Sequence, residues 1–155
     1  MENSPILLLV LCTLVGAGQP SKTIPAPHIN ALNAQDKAIG VSWSKVEGVY
    51  SDEPIIGYVV KVWEIPDVTA YKYEIVDGKK VLVSDKKEPK VDPKKIPNSI
   101  PREIKVDGAD VTAVDVDNVK DDVLYHIRVQ AFTKTEKGAL SDAATIKLIS
   151  NENKS

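Results

Sequence analysis

A single cysteine, Cys12, stands in the whole chain, and it lies inside an apolar stretch near the N-terminus. Once that stretch is removed, no disulfide framework, zinc–thiolate site or cysteine nucleophile can be built. Histidine is nearly as scarce. His28 and His126 are far apart in sequence, and neither has a serine or acid beside it that would complete a catalytic set. No apolar run reaches the ~20 residues that a membrane-spanning helix needs. No stretch repeats its apolar residues at helical spacing, which excludes a helical bundle. Charge of one sign is missing in bulk too: 20 basic and 22 acidic residues leave a net −2, which does not mark a nucleic-acid binder.

What is present is a strand-former's composition. Hydrophobic residues make up 43% of the chain, enough for a core. Valine and isoleucine supply much of it, and β-branched side chains favour pleated strands over helices. A length of 155 residues suits one ordinary domain and falls short of two.

The two ends bear on compartment. Ile6 to Val15 is an apolar run, followed by the small residues Gly16, Ala17 and Gly18 and then by polar sequence from Pro20. That order is the pattern of a secretory signal cleaved after Ala17 or Gly18. Residues 1–18 are therefore read as a signal peptide, and the protein as secreted and extracellular. Glu2, with no Lys or Arg near it, departs from the pattern; a buried N-terminal strand or helix is the competing reading. Residues 19–27 read as a linker, 28–149 as the domain and 150–155 as a polar tail. The tail holds no apolar segment of the kind a lipid-anchor signal needs. Asn153-Lys154-Ser155 fits the acceptor pattern for N-glycosylation.

Strand signals recur along the domain. Ile39, Val41 and Trp43 alternate with Gly40 and Ser42, the period-two pattern of a half-buried strand. Over Ile55–Glu64, Tyr58, Val60 and Val62 share one face and Val59, Lys61 and Trp63 the other. Both faces are apolar, so the outer one needs a cover. Tyr71–Ser84 reads as a hairpin around Asp77-Gly78, a dipeptide suited to the positive φ values of a tight type I′ turn. Lys86–Pro101 carries four prolines and many charges and reads as an extended, exposed loop. Val114 and Val116 mark another strand. Leu124–Phe132 is the clearest one, with Tyr125, Ile127, Val129 and Ala131 on one face and His126, Arg128, Gln130 and Phe132 on the other. Ala144, Ile146 and Leu148 close the domain. Short strands separated by turn signals predict an all-β antiparallel sandwich.

These residues resemble a fibronectin type III domain in their order. Ile39-Gly-Val-Ser-Trp43 is similar to that family's second strand, and Pro54-Ile-Ile-Gly-Tyr58-Val-Val60 to its third. Tyr125-His-Ile127-Arg-Val129-Gln-Ala131 is similar to the sixth, and Gly138-Ala-Leu-Ser141 to the bend into the last. Val119 stands six residues before Tyr125, where the family usually has leucine, and Asp121 replaces a common proline. The resemblance implies an immunoglobulin-like sandwich in which the Tyr125 hydroxyl bonds back to upstream backbone. It leaves about 65–110 as an insertion carrying its own hairpin. The lack of cysteine agrees with this family, which needs no inter-sheet disulfide.

Two surfaces stand out. Val59, Lys61, Trp63, His126, Arg128 and Phe132 would share the outer face of two neighbouring strands, with the aromatic and arginine content of interaction hot spots. Arg128 stacked on Trp63 is the expected contact there, and the opposing reading is that the inserted hairpin folds over this face and buries it. Lys86, Lys87, Lys90, Lys94, Lys95 and Arg102 form a basic stretch that meets an anionic polymer or membrane surface or simply solvates a loop. The aspartates at 107, 110, 115, 117, 121 and 122 have no spacing of a calcium loop. Neither metal nor cofactor is expected, and no catalytic residue.

The functional expectation is a secreted, non-catalytic module that binds an extracellular or cell-surface protein, with no nucleic acid and no membrane span involved. Two alternatives stay open. One is a secreted protease inhibitor presenting the proline-rich loop. The other is a carrier of a small apolar ligand, held between sandwich and hairpin by Val59, Trp63, Tyr71, Tyr73 and Ile75.

Overall fold

Alternating apolar residues at Ile39, Val41 and Trp43 demand a dry surface on one side of their strand, and the chain provides it with a second sheet. The computed structural model describes residues 23–48 and 52–150. The expected signal peptide, Cys12 and the glycosylation acceptor Asn153 lie outside them. Among the described residues the strands are β1 (Ile29–Gln35), β2 (Ala38–Trp43), β3 (Gly57–Ile65), β4 (Val68–Val76), β5 (Lys79–Lys87), β6 (Arg102–Asp107), β7 (Ala113–Asp117), β8 (Leu124–Phe132), β9 (Lys137–Leu140) and β10 (Ala144–Lys147). No helix occurs among them.

One sheet runs β1-β2-β7, the other β10-β8-β3-β6 with β9 added alongside β8. Every pair is antiparallel. The core lies between the sheets. Ile39, Val41, Trp43 and Val116 from the first meet Tyr58, Val60, Val62, Ile127, Val129 and Ala131 from the second. Burying one such aliphatic side chain contributes roughly 1.5–3 kcal/mol. The rings of Trp43 and Tyr58 meet at 5.4 Å between centroids. The Tyr58 hydroxyl accepts from the Val46 amide and donates to the Ala109 carbonyl, both at 3.1 Å, so the core tyrosine also ties down two loops. The fold class expected from sequence is the fold observed.

Tyr125 behaves as the resemblance implied. Its hydroxyl accepts a bond from the Lys120 amide at 2.8 Å, closing the corner before β8, with Val119 buried beside it. At the far edge, β9 and β10 pair with opposite halves of β8. Ser141 stands at the break between them. Its amide donates to the Val129 carbonyl, and its hydroxyl accepts from the Val129 amide at 2.9 Å. A side chain thus continues the ladder where the backbone bends.

Three boundaries differ from expectation. First, residues 23–27 are not a free linker: Ile24 is in the core, and its carbonyl accepts from the Ala139 amide. Second, the insertion is shorter than about 65–110, because β6 belongs to the main sheet as the neighbour of β3. The sequence assigns no strand to Arg102–Asp107 within that insertion, because β6 is an edge strand with only Ile104 and Val106 turned to the core. Third, β9 is a strand over residues that the resemblance reads largely as the bend into the last strand. What lies outside the sandwich is the β4–β5 ribbon and the loop 88–101. The ribbon turns at Asp77 (φ 51°) and Gly78 (φ 73°), the positive pair that the dipeptide predicted.

Candidate functional site

The register of β3 and β8 decides which side chains share a surface. Lys61 pairs with Arg128, Trp63 with His126 and Gly57 with Phe132. Directly paired residues point to the same side, so Val59, Lys61, Trp63, His126, Arg128 and Phe132 stand together on the outer face. That face is not open. Trp63, His126, Arg128, Val59 and Phe132 are all buried, and only Lys61 keeps partial access.

Over Trp63 and Arg128 the cover is the loop 88–101, not the hairpin. Arg128 is the latch. Its Nη2 donates to the Pro93 carbonyl at 2.6 Å and more weakly to the Lys95 carbonyl at 3.3 Å. Nη1 donates to the Ser141 carbonyl at 2.9 Å, and Nε–H to His126 Nε2 at 3.0 Å. Trp63 adds a second tie, donating from Nε1 to the Ser99 carbonyl at 2.9 Å. The expected stack of Arg128 on Trp63 is absent. The guanidinium instead spends its planar fork on carbonyls, and Trp63 meets the His126 ring edge-on at 5.4 Å. None of the atoms that Arg128 contacts in these bonds is anionic.

His126 is fully buried in this arrangement. Burial first, and the Arg128 charge second, hold its pKa below the ordinary histidine value. Because Nε2 accepts from Arg128, the ring is neutral with its proton on Nδ1. At the open edge of the same sheet, Lys61 and Glu103 form a cross-strand ion pair at 3.1 Å. The hydrogen bond from Lys61 lowers the Glu103 pKa. A groove of about 560 Å³ lies nearby, floored by Ile56, Val59 and Phe132 and rimmed by Glu103, Lys105 and Lys137.

The β4–β5 ribbon does not close over the sheet. It forms a sheet of its own. Tyr71 (67% exposed), Tyr73 (64%), Ile75 (71%) and Leu82 (53%) are open to solvent. Tyr73 pairs with Leu82 and Ile75 with Lys80, so these side chains share one face. The Lys80 ammonium sits 4.4 Å above the Tyr73 ring. An enclosed apolar cavity between Val59, Trp63, Tyr71, Tyr73 and Ile75 is therefore not formed, since the two groups lie on different sheets and the second is exposed.

The basic residues separate by element. Lys86 and Lys87 end β5, Lys90, Lys94 and Lys95 lie on the covering loop, and Arg102 opens β6. All six are exposed, and none forms an ion pair among the described residues. Among the described residues no three acidic, histidine or cysteine side chains converge as a metal-binding group, and no helix is long and apolar enough to cross a membrane. Sequence reasoning did not find the acceptors of the latch. Arg128 takes two carbonyls of the loop and one of the bend, Trp63 takes a third from the loop, and a carbonyl carries no residue-type signal.

Comparison with known proteins agrees with this architecture. A family profile described as fibronectin type III domain matches residues 23–147. No curated protein matches the chain. Among solved structures, the third fibronectin III domain of human KIAA0343 protein is similar with a TM-score of 0.53 at 10% identity, over 90% of this chain and 94% of that one. The twitchin kinase region of C. elegans gives 0.53 at 15% identity, over 86% of this chain and 18% of that one. The FN1–FN3 domains of chicken CNTN1 give 0.50 at 16%, over 81% of this chain and 32% of that one. The chain thus spans about a third of the chicken chain and under a fifth of the nematode one. At these identities the likeness is one of fold.

Proposed function

Because this chain belongs to the fibronectin type III domain family, a class of module that commonly mediates protein interactions, we propose that it is a secreted, non-catalytic binding module for an extracellular or cell-surface protein. The observation that carries the reading is the ribbon face formed by Tyr71, Tyr73, Ile75 and Leu82. Aromatic and aliphatic side chains rarely stay together in water without a use, and tyrosines in such a patch are typical binding anchors. The lysines beside them favour a partner surface with acidic groups at its rim. Secretion is supported by the apolar run Ile6–Val15 and by the small residues after it.

Two measurements test the proposal. Expression of the complete sequence in secretory cells should place the protein in the medium with its N-terminus after Ala17 or Gly18. Immobilised wild-type protein should retain a partner from extracellular fluid, and Tyr71→Ser/Tyr73→Ser should lose it with an unchanged thermal midpoint and tryptophan fluorescence. Retention that is equal in the two proteins refutes the ribbon face as the binding site.

One observation favours a second reading, a secreted protease inhibitor. The covering loop is pinned by Arg128 and Trp63 and offers Ile100, 96% exposed, immediately before Pro101. A loop held in one conformation before binding loses little entropy on entering a cleft. Inhibition assays against a panel of secreted proteases, with Ile100→Asp as the control, separate this reading from the first.

A further inference from the structure

The β4–β5 ribbon is a two-stranded sheet with both outer edges unpaired. Its register identifies which backbone groups are free. Val76 pairs with Lys79 across the Asp77-Gly78 turn. In a two-residue hairpin that first pair is hydrogen-bonded, and bonding then alternates along the strand. The amides and carbonyls of Val76, Glu74, Lys72 and Ala70 therefore serve β5. Those of Ile75, Tyr73 and Tyr71 point away from it, toward the open edge. Such a row is a template for another strand.

The two edges are not equivalent. β5 carries Lys79, Lys80, Lys86 and Lys87 against the single acid Asp85. A second β5 beside it would be repelled, and lysines on an edge are a known guard against pairing. β4 carries one lysine and one glutamate, Lys72 and Glu74, placed symmetrically about Tyr73. Antiparallel two-fold pairing of β4 with β4 of a second copy, centred on Tyr73, sets Lys72 opposite Glu74 of the second copy and Glu74 opposite its Lys72. It also sets Tyr71 opposite Ile75 and Ala70 opposite Val76. Centring on Lys72 or Glu74 would also pair outward amides, but it would set two lysines or two glutamates opposite one another at the axis. The register about Tyr73 combines outward amides with opposite charges across the axis and still pairs residues 70–76 of each strand.

We propose that the chain forms a two-fold dimer through β4, making a continuous sheet in the order β5-β4-β4-β5. A two-stranded ribbon is marginal in water, whereas four strands with one apolar face form a stable sheet. Tyr71, Tyr73, Ile75 and Leu82 of both copies would lie on that face. The inference concerns the strand edge and stands independently of the partner proposed for the face.

Sedimentation velocity on the full chain over a dilution series tests it. Wild type should sediment as two chains and dissociate on dilution. Lys72→Glu and Glu74→Lys should each sediment as one chain, because each sets like charges opposite one another. The double variant Lys72→Glu/Glu74→Lys should return to two. Tyr73→Pro, which removes a central outward amide and leaves the β5 ladder its donors, should be monomeric with tryptophan fluorescence and thermal midpoint of the sandwich unchanged. A wild type that stays monomeric at its highest soluble concentration overturns the proposal, and the edge would then belong to a strand of a different protein. Dimers that persist unchanged in both single charge variants overturn it as well.

Discussion

Replacing Arg128 with methionine should free the loop 88–101 while leaving the sandwich folded. Methionine keeps the unbranched stem and removes the guanidinium, so the change isolates the hydrogen bonds from the packing. Four contacts go at once: the carbonyls of Pro93, Lys95 and Ser141, and His126 Nε2. The Ser141 bond is buried, and an unsatisfied buried acceptor costs about 1–3 kcal/mol. The loop carbonyls can rehydrate once the loop lifts, so each loses only the net ~0.5–1.5 kcal/mol of an exchanged bond. Against this stands the gain from no longer burying a cation that has no anionic partner. The balance is a loss of about 2–4 kcal/mol. In urea the midpoint should fall with the m-value nearly unchanged, because the core that dominates exposed area is intact. Acrylamide quenching gives the local readout. Trp43 and Trp63 are 2% and 3% exposed, so both resist the quencher in the wild type. In Arg128→Met one of the two indoles, Trp63, should become accessible. Wild-type quenching together with a wild-type urea midpoint would refute the reasoning, since the loop would then be held by contacts other than this latch.

Three further outcomes follow from the same geometry. His126 is held below its ordinary pKa by burial and by Arg128, so as pH falls below about 6.5 the unfolded chain takes up the proton first. Stability should be complete above that value and decline toward the depressed folded value, by at most ~1.4 kcal/mol per pH unit. The decline should vanish in His126→Gln when urea midpoints are compared between about pH 7 and 5.5, above the range where Glu103 and the other lowered carboxylates contribute; a slope that survives the substitution there contradicts it. Tyr125→Phe removes the bond from the Lys120 amide and should cost about 1–2 kcal/mol by thermal denaturation. A loss below ~0.3 kcal/mol would mean that the corner is held by packing alone. Gly57→Ala places a Cβ 2.3 Å from the Val106 carbonyl and 2.8 Å from the Phe132 ring. That clash should cost about 1–3 kcal/mol and speed amide exchange across β3 and β6.

Much of the sandwich was legible because its signals are local. Ile39, Val41 and Trp43 declare an inward face by alternation, as do Tyr125, Ile127 and Val129. Asp77-Gly78 declares its turn because few other pairs accept two positive φ values. The edge strands were harder. β6 holds only two inward apolar residues among charged ones, and it is a strand because β3 offers it a ladder, not because of its own composition.

The candidate site divides along the same line. The sequence placed Val59, Trp63, His126, Arg128 and Phe132 on one face, because period-two geometry leaves no choice once the strands are drawn, and it showed that this face needed a cover. Which segment covers it was decided only in three dimensions. The loop 88–101 reads as exposed because its side chains do face water, while its carbonyls take the bonds from Arg128 and Trp63. The hairpin, with its tyrosines, reads as a lid and stands free. Side-chain patterning determines which face of an element is dry. Backbone hydrogen bonds, which every residue type can make, determine what closes it, and those are settled only when distant parts of the chain meet.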